Sequence, residues 1–334
     1  MPHDDPVDPV DPAEAVTDVL GEPWLAETID LGEDHEGPLV ATLVSHRSPR
    51  PSGRAVLYVH GFADYFFQTG FAQWWLERGY DFYALDLRKY GRSIRPGQTP
   101  TYVTDLADYD AELDVAWQRI TERDGHEQVV VAAHSTGGLV TSLWLDRRRP
   151  AALVGLVLNS PWLDLQGSVL LRTVGTAVIK QLGARQPMRE IRRDVSGLYG
   201  RSLHRDHGGE WDFDLTWKPL ESFAVYVGWL RAVRTGHARL QRGLDVPAPV
   251  LVLSSDRSGV PTEMGDEVHS ADIVLEVPQI RRWATALGAH VTYVAVPGAR
   301  HDVVLSRPDA RRRAYDEIER WHRAYVGAPA GPTA

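Results

Sequence analysis

The stretch QVVVAAHSTGGLVTSLWLD, residues 128–146, decides how the rest of the chain is read. An unbroken apolar run ends at Ala133-His134-Ser135-Thr136-Gly137, and a helical repeat of Leu139, Val140, Leu143 and Leu145 starts at once. The segment predicts a strand, a tight turn and a helix. A serine at the apex of such a turn presents its hydroxyl, and the backbone N–H groups beside it lie at a helix N-terminus, where developing negative charge is favoured. The usual spacing for a nucleophilic serine in this setting is Gly-x-Ser-x-Gly. Ala133 fills the first position here, and a methyl group is the smallest departure from glycine where strand and helix must approach closely. The same pentapeptide also suits an ordinary helix-capping turn, so its meaning depends on residues elsewhere.

At 334 residues, with 43% hydrophobic and 24% charged side chains, the chain can form one large domain or a core domain carrying a smaller insertion. A net charge of -9 provides no basic excess to neutralise a phosphate backbone, which argues against nucleic acid as a partner. Arg147-Arg148-Arg149 and Arg311-Arg312-Arg313 read as solvated helix faces or ends. Without cysteine there is no disulfide, no thiolate metal site and no cysteine nucleophile. No stretch approaches the roughly 18–20 consecutive apolar residues of a membrane span. The acidic, proline-rich start MPHDDPVDPVDPAEA is unlike a secretory leader, so a cytoplasmic location is the expectation. Oligomeric state is left open.

Residues 1–13 contain little apolar surface and read as a disordered tail. Residues 24–31 and 39–45 read as two short strands, a hairpin at a sheet edge, and RAVLYV at 54–59 as a stronger strand. A helix around 71–76, a strand at 81–85, a helix at 106–123, the serine-bearing strand and its helix, and a strand at 151–158 follow. Such alternation, with strands apolar throughout, predicts an α/β fold: a mostly parallel central sheet covered by helices on both faces. Residues 163–243 break the pattern, since helical stretches at 169–182 and 224–240 flank the irregular, aromatic-rich RSLHRDHGGEWDFDLTWKP. They read as an inserted, largely helical cap between a first core part, 14–162, and a second, 244–325. In the second part a strand at 249–254, a helix at 278–287, a strand at 290–296 and a helix at 308–324 resume the alternation. Residues 326–334 read as a flexible tail. No Gly-x-Gly-x-x-Gly or Gly-Lys-Ser/Thr motif stands at a strand–helix junction, and no cofactor is expected.

A serine hydroxyl becomes nucleophilic when a histidine takes its proton, and that histidine needs an acid to hold its tautomer. On this topology the partners follow in the order serine, acid, histidine. His301, after the strand VTYVAV and the loop PGAR, fits the last place best among 13 histidines. Two aspartates compete for the middle place, Asp256 directly after VLVLSS and Asp272 in SADIVLEVPQIRRWATALG.

With these features in view the chain resembles an α/β-hydrolase, and within that superfamily the branch of monoacylglycerol lipases, lysophospholipases and serine aminopeptidase-like enzymes. The resemblance rests on His60-Gly61-Phe62, on Asp86-Leu87-Arg88-Lys89-Tyr90-Gly91-Arg92-Ser93, on Ala133-His134-Ser135-Thr136-Gly137-Gly138, and on Pro297-Gly298-Ala299-Arg300-His301. It covers roughly residues 38–162 and 245–325 and leaves the cap without a distinctive motif. It implies an α/β-hydrolase fold, with Ser135, Asp272 and His301 as catalytic residues and the Phe62 and Thr136 amides as an oxyanion hole shaped by His60 and Gly61, with His134 and Gly137 completing the serine turn. The family's acid usually stands about where Ser258 is found. The interval from Asp272 to His301 suits one helix and one strand, whereas Asp256 lies farther back. Asp272 is therefore preferred over Asp256, which implies an insertion near 257–270.

Asp64, Tyr65, Phe66 and Phe67 follow the Phe62 loop closely enough to line a substrate pocket, and Trp162, Trp211, Phe213, Trp217, Tyr226 and Trp229 are the cap's candidates; aromatic residues in a cap also form its core. His204, Asp206 and His207 lie close together but lack a further ligand, so no metal is expected. The activity expected is hydrolysis of a small-molecule carboxylic ester through an acyl-enzyme. An aminopeptidase or amidase is the alternative, with Glu210, Asp212 or Asp214 to meet a substrate ammonium; a non-catalytic ligand-binding protein on the same fold is a third reading.

Overall fold

The computed structural model describes residues 15–166, 179, 182–193 and 195–327. The tail expected at 1–13, residues 328–334 of the second tail and most of the helix expected at 169–182 lie outside these residues. In chain order the core elements are β1 (Val16–Thr17), β2 (Leu25–Asp34), β3 (Gly37–His46), β4 (Arg54–Val59), α1 (Thr69–Leu76), β5 (Tyr80–Asp86), α2 (Asp110–Gln118), β6 (Gln128–His134), α3 (Thr136–Arg148) and β7 (Leu153–Asn159). The cap region contributes β8 (Glu190–Ile191), α4 (Leu198–Leu203), β9 (Val225–Tyr226) and α5 (Val227–Leu240). The core resumes with β10 (Val250–Ser255), α6 (Asp266–Ser270), α7 (Val277–Trp283), β11 (Val291–Val296) and α8 (Pro308–Tyr325).

Among the described residues nine strands form one sheet in the order β1-β2-β3-β5-β4-β6-β7-β10-β11. The first three pair antiparallel with one another, as does β3 with β5; every later pairing is parallel. Parallel strands covered on both faces must be apolar throughout, and β5 is buried at every position while β4 and β6 are buried at all but their first residue. Two apolar layers result. One contains Leu57, Val131, Leu139 and Leu143; the other contains Val56, Phe66, Trp75 and Ile318. The chain is an α/β-hydrolase fold with an inserted helical cap region between β7 and β10.

Element boundaries move for local reasons. The stretch expected as one helix over 106–123 is a 3-10 turn capped by the Asp105 carboxylate, then α2, then a π-helical turn. The β2–β3 hairpin is not the outermost element, because β1 pairs onto β2. Behind it, Arg92 lies between two buried carboxylates, with Nε 2.6 Å from Asp18 Oδ2 and Nη1 2.8 Å from Asp86 Oδ2, and so ties the segment after β1 to the end of β5. α8 begins at Pro308, which suits a first helical turn, and buries Ala310, Ala314, Ile318 and Trp321 along one stripe.

α5 is joined to the core through His237, which is fully buried. Its Nε2–H donates to the Trp162 carbonyl at 2.9 Å, and Nδ1 accepts from Arg234 Nη1 at 3.1 Å. Burial, reinforced by the Arg234 charge, pushes its pKa down to about 3. The unfolded chain protonates this imidazole near pH 6.5 while the native state does not, so the stability it confers is fully present above about pH 6.5 and is lost as pH falls toward 3. The unfolding free energy from urea titrations is expected to decline over this window by a few kcal/mol. His237→Gln should flatten that decline; an unchanged slope in the variant rules the account out.

Candidate active site

The strand β6 delivers Ser135 to the turn in a backbone conformation that side chains rarely adopt, φ 50° and ψ -116°. Neighbouring backbone holds it there: Ser135 N–H donates to the Asn159 carbonyl at 3.0 Å, and the Ser135 carbonyl accepts from Gly138 N and Trp162 N, both at 3.0 Å. Strand and helix come so close that a Cβ at Gly137 would lie 2.3 Å from the His60 carbonyl oxygen, and one at Gly61 would lie 3.0 Å from the His134 ring and 3.1 Å from Ser135 Cβ. Glycine is a steric requirement at 137, where the clash is with backbone, while at 61 a side chain would crowd the His134 ring and Ser135.

Ser135 Oγ is 3.0 Å from His301 Nε2, and His301 Nδ1 is 2.9 Å from Asp272 Oδ2. An ionised carboxylate only accepts hydrogen bonds, which places the His301 proton on Nδ1 and leaves Nε2 to accept from the serine hydroxyl. Asp272 has no exposed surface, and its Oδ1 accepts from Val274 N at 2.9 Å and Leu275 N at 2.7 Å. The carboxylate is thus fixed in both position and rotation.

The insertion near 257–270 returns on itself: Asp272 N donates to the Arg257 carbonyl at 3.0 Å, and Gly259 N to the Asp272 carbonyl at 2.9 Å, in a parallel bridge that sets Asp272 beside Ser258. Ser258 instead accepts from Val277 N at 2.8 Å at the start of α7. Asp256 is exposed and accepts from Gly298 N at 3.2 Å, anchoring the turn after β11. Asp272, and not Asp256, is the carboxylate within reach of His301.

Phe62 and Thr136 flank Ser135. Among the described residues neither of their amide N–H groups is taken by a backbone carbonyl, and Thr136, as the first residue of α3, is one of the helix positions whose N–H has no intrahelical acceptor. The His60 ring holds the Phe62 loop, with Nδ1–H donating to the Gly61 carbonyl at 2.8 Å and Nε2 accepting from Leu87 N at 3.1 Å. His134 is buried 4.8 Å from the His301 ring, centroid to centroid, and burial lowers its pKa, so it remains neutral beside the site.

Asn159, at the end of β7, is a functional residue that no sequence motif singles out. Its carbonyl receives Ser135 N–H, its Nδ2 donates to Asp302 Oδ1 at 2.7 Å, and its Oδ1 accepts from Val303 N at 2.9 Å. One residue therefore couples the two loops, its backbone carbonyl holding the serine turn and its side-chain amide the histidine loop. Its position after an apolar strand that pairs with β6 is the only sequence signal for it.

Two cavities meet at Ser135. The larger, about 400 Å³, has a mixed lining that includes the charged and polar side chains of Asp64, His134, Arg193, Tyr199, Lys218 and His301. The smaller, about 230 Å³, is mainly apolar and includes Trp162, Ile191, Val225, Trp229, Leu230 and Leu275. Phe62, Gln166, Arg193 and Val274 border both.

Of the proposed pocket residues, Asp64, Trp162 and Trp229 line these spaces. Tyr65, Phe66, Phe67, Trp211, Phe213, Trp217 and Tyr226 are not among the residues that line them. Tyr65 accepts from Asp214 N at 2.7 Å and meets Trp217 edge-on; Phe66 is fully buried against Trp24 and Phe82. Trp211 donates to the Leu305 carbonyl at 3.4 Å beneath Arg311, and Tyr226 packs edge-on to Tyr102. Phe66 packs within the core, whereas Trp211, Trp217 and Tyr226 join the cap to the core, where large aromatic rings bury apolar area. Arg193, Tyr199 and Lys218 stand at the cavities in their place, and composition alone carries no signal for them.

The cap acids are also engaged elsewhere. Glu210 pairs with Arg311 at 3.0 Å, Asp212 with Arg205 at 2.8 Å, and Asp214 accepts from Thr216 N at 2.6 Å. His204 spends both ring nitrogens locally, on the Phe213 carbonyl and on Asp206 N. Among the described residues no His, Cys, Asp and Glu grouping suited to a metal is found, and no helix is long and apolar enough to cross a membrane.

Residues 50–308 match the family described as serine aminopeptidase, S33. The match takes in most of the chain, which therefore belongs to this family of α/β-hydrolases and has its serine-hydrolase-type catalytic fold. The uncharacterized protein YnbC of Escherichia coli (strain K12) is 28% identical over 179 residues, 52% of this chain and 29% of that protein. Phospholipase YtpA of Bacillus subtilis (strain 168) is 29% identical over 116 residues, 33% of this chain and 41% of that protein. The chain thus spans less than half the length of either relative. A soluble variant of monoglyceride lipase from Saccharomyces cerevisiae, solved with a substrate analog, shares the fold with a TM-score of 0.63 at 14% identity, over 97% of this chain and 99% of that one.

Replacing Asn159 with alanine would strand the Asp302 carboxylate and the Val303 N–H in a buried setting. A loss of about 1–3 kcal/mol is expected, read from the urea unfolding midpoint. A change below about 0.5 kcal/mol would show that Asn159 does not hold the two loops together.

Proposed function

We propose that this protein is a carboxylic-ester hydrolase that works through an acyl-enzyme. The observation that carries the reading is the continuous hydrogen-bonded line from Ser135 Oγ through His301 to Asp272, opening where a mainly apolar cavity meets a larger one that contains charged side chains. Ser135 attacks the ester carbonyl as His301 Nε2 takes its proton, with the imidazolium supported by Asp272. The Phe62 and Thr136 amides receive the carbonyl oxygen as it becomes negative. His301 then protonates the leaving alcohol and activates water to release the acid. The acyl chain occupies the smaller, apolar cavity and the alcohol portion the larger one.

The family's description favours a second reading, a serine aminopeptidase or amidase. That activity needs a carboxylate free to meet a substrate ammonium. Outside the cavities Glu210 and Asp212 are ion-paired and Asp214 accepts from backbone N–H groups, and Asp64, which does line one, is paired with Lys218 Nζ at 2.9 Å. These pairings support the ester.

Ser135→Ala is expected to abolish turnover of p-nitrophenyl acyl esters without changing the melting temperature. Asp272→Asn should lower kcat by about 10⁴, the order seen when a triad acid is replaced, whereas Asp256→Asn should stay within a few-fold of the parent. Retained activity in Ser135→Ala, or equal losses in the two aspartate variants, removes the assignment. Aminoacyl p-nitroanilides turned over faster than the esters would replace it with the amidase reading.

A further inference from the structure

The larger cavity beside Ser135 differs in charge from the protein as a whole. The chain carries a net charge of -9, yet apart from histidines the charged side chains lining this cavity are Asp64, Arg193 and Lys218, two cations and one anion. Lys218 and Asp64 compensate each other: Nζ and Oδ1 are 2.9 Å apart, and the two side chains are 9% and 2% exposed. The Lys218 ammonium lies 5.7–5.8 Å from the rings of Phe67, Tyr199 and Phe213. An ammonium has three donors, and Asp64 is its only hydrogen-bond acceptor among the described residues.

Arg193 is the uncompensated charge. Among the described residues its guanidinium has no carboxylate partner, and Nη2 donates only to the Phe223 carbonyl at 3.1 Å. Its side chain is exposed at the cavity mouth, so an anion reaches the guanidinium without having to displace a carboxylate from it. Arg193 borders both cavities, so an anion bound to it lies on the route to Ser135. The neighbouring hydroxyls of Ser196 and Ser222 line the same space.

We propose that the larger cavity recognises an oxyanion, a carboxylate or a phosphate, carried by the alcohol portion of the ester, with Arg193 as its principal partner and Lys218 as a second donor. The planar guanidinium offers two parallel N–H groups to either oxyanion. Lys218, which lines only the larger cavity, assigns the charge to the portion of the ester held there, the leaving alcohol. This inference rests on the ester-hydrolase reading and names the substrate class within it.

Three chromogenic esters of one acyl group test it: 4-(hexanoyloxy)benzoate, its methyl ester, and 4-(hexanoyloxy)phenyl phosphate. In Arg193→Gln, kcat/KM for at least one of the anionic esters is expected to fall at least about tenfold more than for the methyl ester, mainly through KM, as expected for loss of a charged hydrogen bond. The oxyanion with the larger loss identifies which of the two the site takes. Arg193→Lys should recover part of the difference, and Arg193→Glu should enlarge it. Equal fractional losses on all three esters in variants of unchanged melting temperature overturn the proposal. If the parent protein hydrolyses none of the three and its Ser135 is not labelled by a fluorophosphonate, the ester-hydrolase reading itself has failed, and this proposal with it.

Discussion

The close approach of β6, α3 and the loop after β4 is the constraint on which the site depends. Ser135 sits at positive φ because the chain must reverse from strand to helix within one residue, and such a conformation costs of order 1–3 kcal/mol unless its surroundings hold it. The hydrogen bonds to Asn159, Gly138 and Trp162 do so. The space required for this reversal is available only because Gly137 brings no side chain against the His60 carbonyl. The same contact aims the amides of Phe62 and Thr136 toward the serine from two sides.

Around that turn the protein uses polar groups as fasteners where apolar packing would not specify direction. Asn159 links the serine turn to the histidine loop, and the two N–H groups of Val274 and Leu275 fix the Asp272 carboxylate. Arg300, almost fully buried, donates to the Ser202 carbonyl of α4 and meets His269 of α6, so the residue before His301 is bound to both the cap and the inserted loop. Low exposure makes each of these bonds costly to leave unmade. The histidine loop is thereby held on several sides while the serine hydroxyl stays at a cavity mouth.

The division of that mouth into an apolar and a polar side comes from the cap. Val225, Trp229 and Leu230 supply one side, and Tyr199 and Lys218 the other. Arg193 stands between them. The aromatic residues that looked most suited to a pocket, Trp211, Trp217 and Tyr226, are consumed in joining cap to core. A pocket lining is a property of which side chains remain after packing is satisfied, and that remainder has no periodic signature.

The linear chain carried much of the core. Fully buried parallel strands must be apolar throughout and their covering helices must be amphipathic, so alternation of the two patterns marked the sheet and located Ser135 and His301 at strand ends. It also marked the loop beginning at His60, because a strand-ending glycine turn is a local feature. Asp272 and Asp256 could be ranked by spacing, but which of them reaches His301 depended on the 257–270 segment folding back until Asp272 paired beside Ser258, a contact between residues separated by a loop of irregular shape. Asn159, Arg193 and Lys218 were decided wholly in three dimensions. Each acts through a partner distant in sequence, and neither residue type nor local periodicity records which distant groups the fold will bring within 3 Å.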